Sequence, residues 1–153
     1  MPTIIVRTRI AAPPQVVFDA ARDIDLHCET SRHTNERAVA GVTSGLIGLG
    51  QTVTFEAVHL GVRQRLTSRV VAFDSPHRFM DEMTRGAFQS LRHVHAFEAI
   101  GAGATLMIDT LTWVSPLGAL GIVVDRLVLE RHMKRFLRRR NGCFKRIIEA
   151  RRN

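Results

Sequence analysis

FQSLRHVHAFEAIGAGATLMIDTLTW, residues 88–113, holds two alternating runs joined by three small residues. Leu91, His93, His95 and Phe97 share one parity in the first run, and Met107, Asp109, Leu111 and Trp113 share one in the second. A period of two belongs to strands that lay one face on a core. Gly101-Ala102-Gly103 reads as the hairpin turn between them. Upstream, Thr52–Leu60, Val62–Phe73 and His77–Thr84 continue the pattern, parted by Gly61, Ser75-Pro76 and Gly86. Connectors this short leave no room for a crossover helix, so the strands form an antiparallel meander.

Further outward, Glu36–Gly41 reads as a strand that leads into a glycine-rich turn, Gly41–Gly50. Thr3–Ile10 is the first strand, with Ile4, Val6 and Ile10 on one face. Ala11-Ala12-Pro13-Pro14 breaks it. Pro14 then opens a helix whose apolar side is Val16, Val17, Ala20 and Ala21, and a short polar helix follows Asp23 or Asp25. Downstream, Ser115-Pro116-Leu117-Gly118 ends the sheet, and residues 118–150 contain no proline. Leu129, Met133, Phe136, Leu137, Phe144, Ile147 and Ile148 recur there at a helical period, marking a long amphipathic helix. The order predicts an α+β domain: a curved seven-stranded antiparallel sheet wrapped around a long C-terminal helix, with two short helices after the first strand. Where a twisted sheet curls away from a single covering helix it leaves a gap, the usual place for a ligand.

With 153 residues, 45% of them hydrophobic and 24% charged, the chain is sized and composed for one globular domain spanning 1–153. The N-terminus has no long apolar core of a secretory signal, and Cys28 and Cys143 have no metal or redox spacing. Two reduced thiols in a cytoplasmic protein are therefore expected. The net charge of +8 is localised: residues 1–116 carry 11 basic and 11 acidic side chains, whereas residues 117–153 carry 11 basic and 3 acidic ones.

Several stretches together resemble a known group. They include Val17-Phe18-Asp19 with Asp23-Ile24-Asp25-Leu26-His27, Asn35-Glu36-Arg37-Ala38-Val39-Ala40-Gly41, and Gly48-Leu49-Gly50-Gln51-Thr52-Val53-Thr54-Phe55. His59-Leu60-Gly61 and Leu66-Thr67-Ser68 belong with them. The most distinctive is Phe79-Met80-Asp81-Glu82-Met83 followed by Gly86-Ala87-Phe88 and Arg92-His93-Val94-His95-Ala96-Phe97; Thr105-Leu106-Met107-Ile108-Asp109 and Pro116-Leu117-Gly118-Ala119-Leu120-Gly121 complete the set. Over essentially the whole chain this resembles the START-like (SRPBCC) superfamily with the helix-grip fold, in a bacterial branch labelled polyketide cyclase/dehydrase or coenzyme-Q-binding-like. The resemblance implies a ligand cavity, no cofactor and no metal. It places Glu36 and His27 near the cavity entrance without a role. It does not specify an activity, because fold alone does not settle function.

If Leu91 and Phe97 point inward, so do His93 and His95. The same rule groups Val53, Phe55, Ala57 and His59, and also Phe79, Asp81 and Met83. The concave face is then apolar, interrupted by His59, Asp81, His93, His95 and Asp109. Ionisable groups facing a core are costly unless paired, and aspartates facing histidines can satisfy each other. The cluster reads in three ways: a polar anchor for a ligand, an acid/base pair drawn from His93, His95, Asp109 and Asp81, or a purely structural network. His93-x-His95 has the spacing of two metal ligands, with His59 or an aspartate as a third, but such a pair alone is a weak signal. Neither a GxSxG nucleophile nor a phosphate loop is present; the glycines at 45, 48 and 50 precede a strand and read as a flexible turn, a candidate lid.

The expected function is binding or transport of a small hydrophobic molecule: a lipid, an isoprenoid quinone or a polyketide-like aromatic. Phe55, His59, Leu66, Phe79, Asp81, Met83, His93, His95, Phe97, Met107, Asp109 and Trp113 are expected to line its cavity. The alternative is a cyclase or dehydratase that uses a His/Asp pair in the same place. Arg131, Lys134, Arg135, Arg138, Arg139, Arg140, Lys145, Arg146, Arg151 and Arg152 surround the apolar stripe of the last helix. They read either as a solvated face or as a docking surface for an anionic membrane or an acidic protein. The stripe leaves no exposed aromatic to stack bases, so nucleic acid is not an expected partner.

Overall fold

The computed structural model describes residues 1–116 and 118–152. Leu117, in the expected sheet-ending turn, and Asn153 lie outside the described residues. The chain runs β1 (Thr3–Ile10), α1 (Pro14–Ala21), α2 (Ile24–Thr30), a 3₁₀ turn, β2 (Arg37–Gly41), β3 (Thr52–His59), β4 (Val62–Asp74), β5 (Arg78–Arg85), β6 (Ser90–Ile100) and β7 (Ala104–Val114). It ends in α3 (Gly118–Val124), a π-helical turn (Asp125–Leu129) and α4 (Glu130–Ala150). The sheet order is β1-β7-β6-β5-β4-β3-β2, every pair antiparallel. This is the helix-grip architecture.

Local chemistry explains the element ends. Pro14 opens α1, and the Asp23 carboxylate caps α2 by accepting from the backbone N–H groups of Asp25 and Leu26. The register skips Val39 in β2, Val71 in β4 and Thr84 in β5, and such bulges increase local twist. The sheet therefore curls away from α4 on that side.

The glycine-rich segment after β2 is not a free flap. The Ile24 and Ile47 N–H groups donate to Gly45 and Arg22 carbonyls, the Gly50 N–H donates to Val70, and Ile47 is buried. Only glycine suits position 41, where φ is +73° and a Cβ would stand 2.2 Å from the Thr52 carbonyl oxygen.

At the closed end of the roll, Phe18 meets Phe73, Phe79 and Phe97 edge-on at 5.1–5.6 Å. Ile10, Met107, Phe144 and Ile148 pack around them. A second cluster joins β1, β6, β7 and α4 through Val6, Leu91, Trp113 and Leu137. The single amphipathic helix expected over 118–150 changes hydrogen-bonding pattern at residues 125–129. There the buried Asp125 carboxylate turns inward and accepts from the Trp113 indole N–H (3.0 Å) and the Ser115 hydroxyl. Trp113, 1% exposed, is thus a core residue tied to the helix and not part of a cavity wall.

Removing the Asp125 carboxylate strands a buried indole N–H, which costs about 1–3 kcal/mol. Asp125→Ala should lower the unfolding free energy by that amount, read as a lower urea midpoint at unchanged slope. A loss under about 0.5 kcal/mol, the range of ordinary surface substitutions, would remove the tether from the account.

Candidate functional site

Between the sheet and α4 lies a cavity of about 180 Å³. Phe55, His59, Leu66, Phe79, Asp81, His93 and His95 all reach its wall. The structure does not bring Met83, Phe97, Met107 or Trp113 there. Phe97 and Met107 are sealed beneath α1 in the first core cluster, while Met83 packs against the second. Asp109 is fully buried one layer behind the wall.

The cluster is assembled by strand register. Asp81 lies opposite His93 across β5 and β6, and His95 lies opposite Asp109 across β6 and β7. His93 Nε2 is hydrogen-bonded to Asp109 Oδ1 at 3.0 Å. His95 Nε2 is 3.2 Å from Asp81 Oδ2, and its Nδ1 is 2.9 Å from the same Asp109 oxygen. The two imidazoles lie 3.8 Å apart between ring centres, and His95 stacks on Phe79. From α4, Asn141 Nδ2 donates to Asp109 Oδ2 at 2.6 Å and the Arg140 guanidinium stands 3.6 Å from Oδ1.

These partners set the charge states. Burial alone would raise the Asp109 carboxyl, but the hydrogen bonds of His93 and His95 and the positive charge of His95 hold it well below the usual carboxylate range. Asp81 is lowered in the same way against its own burial, chiefly by His95. His95 works against burial too: with a carboxylate at each ring nitrogen it is raised and favours the imidazolium. His93 is pushed down to about 4, first by burial and then by the neighbouring His95 charge, which outweigh Asp109. A neutral His93 whose Nε2–H donates to the Asp109 carboxylate carries a lone pair on Nδ1. No described side chain or backbone group bonds that nitrogen, so it can accept a hydrogen bond or a proton from a molecule in the cavity.

Two further pairs of polar lining residues meet each other. His27 bonds Glu36 and stacks on Phe55, and His59 Nδ1 lies 3.0 Å from His132 Nε2. The Glu36 carboxyl, which burial would raise, is lowered by His27. His132, Arg140 and Asn141 belong to the site though no sequence feature singled them out as such. They fall three or four residues from Phe136, Leu137 and Phe144, so the helical period itself places them on the buried stripe.

A curved sheet gripping a helix around a mostly apolar cavity with a buried polar cluster is the START-like, helix-grip fold. The model of the family described as "Polyketide cyclase / dehydrase and lipid transport" matches residues 1–149, and the chain belongs to that family. No curated protein matches the sequence. Among solved structures the fold is similar to the Zhui aromatase/cyclase from Streptomyces sp. R1128 (TM-score 0.80, 15% identity, 99% of this chain and 96% of that one). It is also similar to a Thermus thermophilus protein (TM-score 0.73, 20% identity, 94% and 97%) and to a START superfamily protein from Mycobacterium smegmatis (TM-score 0.70, 14% identity, 95% and 98%). At these identities the likeness is one of fold.

Deleting one member of a buried charge network leaves its partners uncompensated, at about 3–5 kcal/mol. Asp109→Ala should cost that much in chemical denaturation, and Asp81→Ala, whose carboxylate is partly exposed at the wall, distinctly less. Equal losses would mean that Asp109 is not the hub.

Proposed function

We propose that the protein binds a compact hydrophobic molecule bearing one polar oxygen substituent, and exchanges it at an anionic membrane surface. The observation that carries this reading is the apolar cavity with the His93 imidazole at its wall. The oxygen group would be a hydroxyl donating to His93 Nδ1, with the rest of the ligand against Phe55, Leu66 and Phe79. The enclosed volume somewhat exceeds the ~150 Å³ that accepts a benzene. That size favours a polyketide-like aromatic or a quinone ring over an entire acyl or isoprenoid chain. The family description, which names both cyclases and lipid transport, agrees with such a ligand. A cyclase or dehydratase is the second reading, favoured by one observation: the Asp109–His93 pair has the form of an oriented general base.

Trp113 is the only tryptophan, and its ring lies 6.3 Å from Phe88, which lines the cavity. 1,4-Naphthoquinone should therefore quench its fluorescence saturably, and Ala57→Phe, which fills the cavity from β3, should abolish binding without unfolding the domain. His93→Ala should weaken binding of 1-naphthol, whose hydroxyl can donate to His93 Nδ1, about tenfold, one hydrogen bond's worth, and leave that of 1,4-naphthoquinone, which has no donor, nearly unchanged. Unsaturable quenching that ignores Ala57→Phe would sink the reading. A loss of turnover by orders of magnitude in His93→Ala, with a polyketide-type substrate, would decide for the enzyme.

Membrane exchange draws support from the exposed apolar residues of α3 and the π turn. Leu120 and Leu127 are 75% and 61% exposed, and Ile122, Val123, Val124 and Val128 accompany them. Contiguous apolar surface of this kind marks an interaction site. The exposed Arg126, Arg131, Lys134 and Arg135 beside it match anionic headgroups. Leu129, Met133 and Phe136, next along the same helix, line the cavity. Sedimentation with phosphatidylglycerol vesicles should be strong, weaker with phosphatidylcholine, and reduced at least tenfold in the double variant Ile122→Asp/Leu127→Asp. Absence of vesicle binding, with self-association instead, would assign this face to a second copy of the chain.

A further inference from the structure

The wall of the cavity also holds a set of groups that neither a carrier nor a simple acid/base pair requires. Asp81, His93 and His95 each offer a ligand atom within 4.8 Å of the others, and among the described residues this is the one cluster of that kind. We propose that it binds a single first-row divalent transition-metal ion, of the Zn²⁺ or Fe²⁺ class, with open coordination positions facing the cavity. This goes beyond the carrier reading and does not rest on it.

Three features of the geometry support the assignment. First, the donor set is two imidazoles and one carboxylate. That set suits first-row divalent ions better than Ca²⁺ or Mg²⁺, and it leaves positions free for water or substrate oxygen. Second, each histidine keeps its remaining nitrogen on one shared carboxylate. His93 would ligate through Nδ1 while Nε2 stays on Asp109 at 3.0 Å, and His95 through Nε2 while Nδ1 stays 2.9 Å from the same oxygen. A carboxylate behind a metal-bound imidazole fixes its tautomer and orientation. Asp109 does this for two rings at once, itself held by Asn141 at 2.6 Å.

Third, the protein already draws Asp81 toward His95 Nε2, at 3.2 Å. An ion would take the place of the proton those two atoms share, and binding would release that proton. Ligand atoms around one such ion stand roughly 3 Å apart, so an adjustment of about an ångström closes the set. All three side chains line the cavity. The ion would therefore polarise the oxygen group of whatever occupies it.

The test uses tag-free, chelator-stripped protein titrated with Co²⁺, read by its visible d–d bands, and with Zn²⁺ against a chromophoric chelator. One equivalent per chain is expected. His93→Ala and Asp81→Asn should each weaken it at least about 100-fold, and Asp109→Asn by about 10–100-fold, while His77→Ala, at an exposed histidine away from the cavity, leaves it unchanged. Thermal melts in chelator verify folding, and the nearly isosteric Asp81→Asn decides the matter if Asp109→Asn does not fold. Failure to bind either ion stoichiometrically overturns the proposal. So does binding that survives both His93→Ala and Asp81→Asn, since it would then reside elsewhere. Neither outcome touches the quinone titration, which needs no metal.

Discussion

One buried carboxylate organises the molecule. Asp109 is wholly enclosed, and four side chains converge on it from two elements: His93 and His95 on β6, and Arg140 and Asn141 on α4. A lone carboxylate at that depth would be strongly disfavoured, so its ionised form exists only while those donors surround it. The converse also holds: the donors are oriented because the carboxylate is fixed. Strand register brings β5, β6 and β7 into line, and Asn141 ties the helix to them. The gap beside this tie is the cavity.

Much of this was legible in the sequence. Parity along Leu91–Phe97 and Met107–Trp113 identified one face of each strand, and His93, His95 and Asp109 do share the inner surface. Parity does not report depth along a curved sheet, however. Phe97 and Met107 share that face but lie toward the end where α1 closes the roll, so Phe18 covers them. Trp113 lies at the opposite end, where Asp125 claims its indole N–H. Inward-facing and cavity-lining are different properties once helices cap part of the concave surface.

The C-terminal helix shows a second limit of pattern reading. Ten basic residues there look like one charged coat, yet Arg140 is buried at the apolar spacing and faces Asp109. Its place was readable from the period four beyond Phe136, but charge masked it. Likewise, the helical pattern expected over 118–150 hid the apolar exposed turns ahead of α4, because aliphatic residues around a whole helix suggest burial unless the neighbouring surface is known.

The most direct test of the account is a double-mutant cycle between Asp109 and Asn141, the side chains that join sheet to helix. Asp109→Ala, Asn141→Ala and the pair together, followed by urea unfolding, should give a coupling energy of at least about 1 kcal/mol, well outside the ~0.3–0.5 kcal/mol of independent sites. Simple additivity would contradict the claim that this carboxylate holds helix and sheet around the cavity.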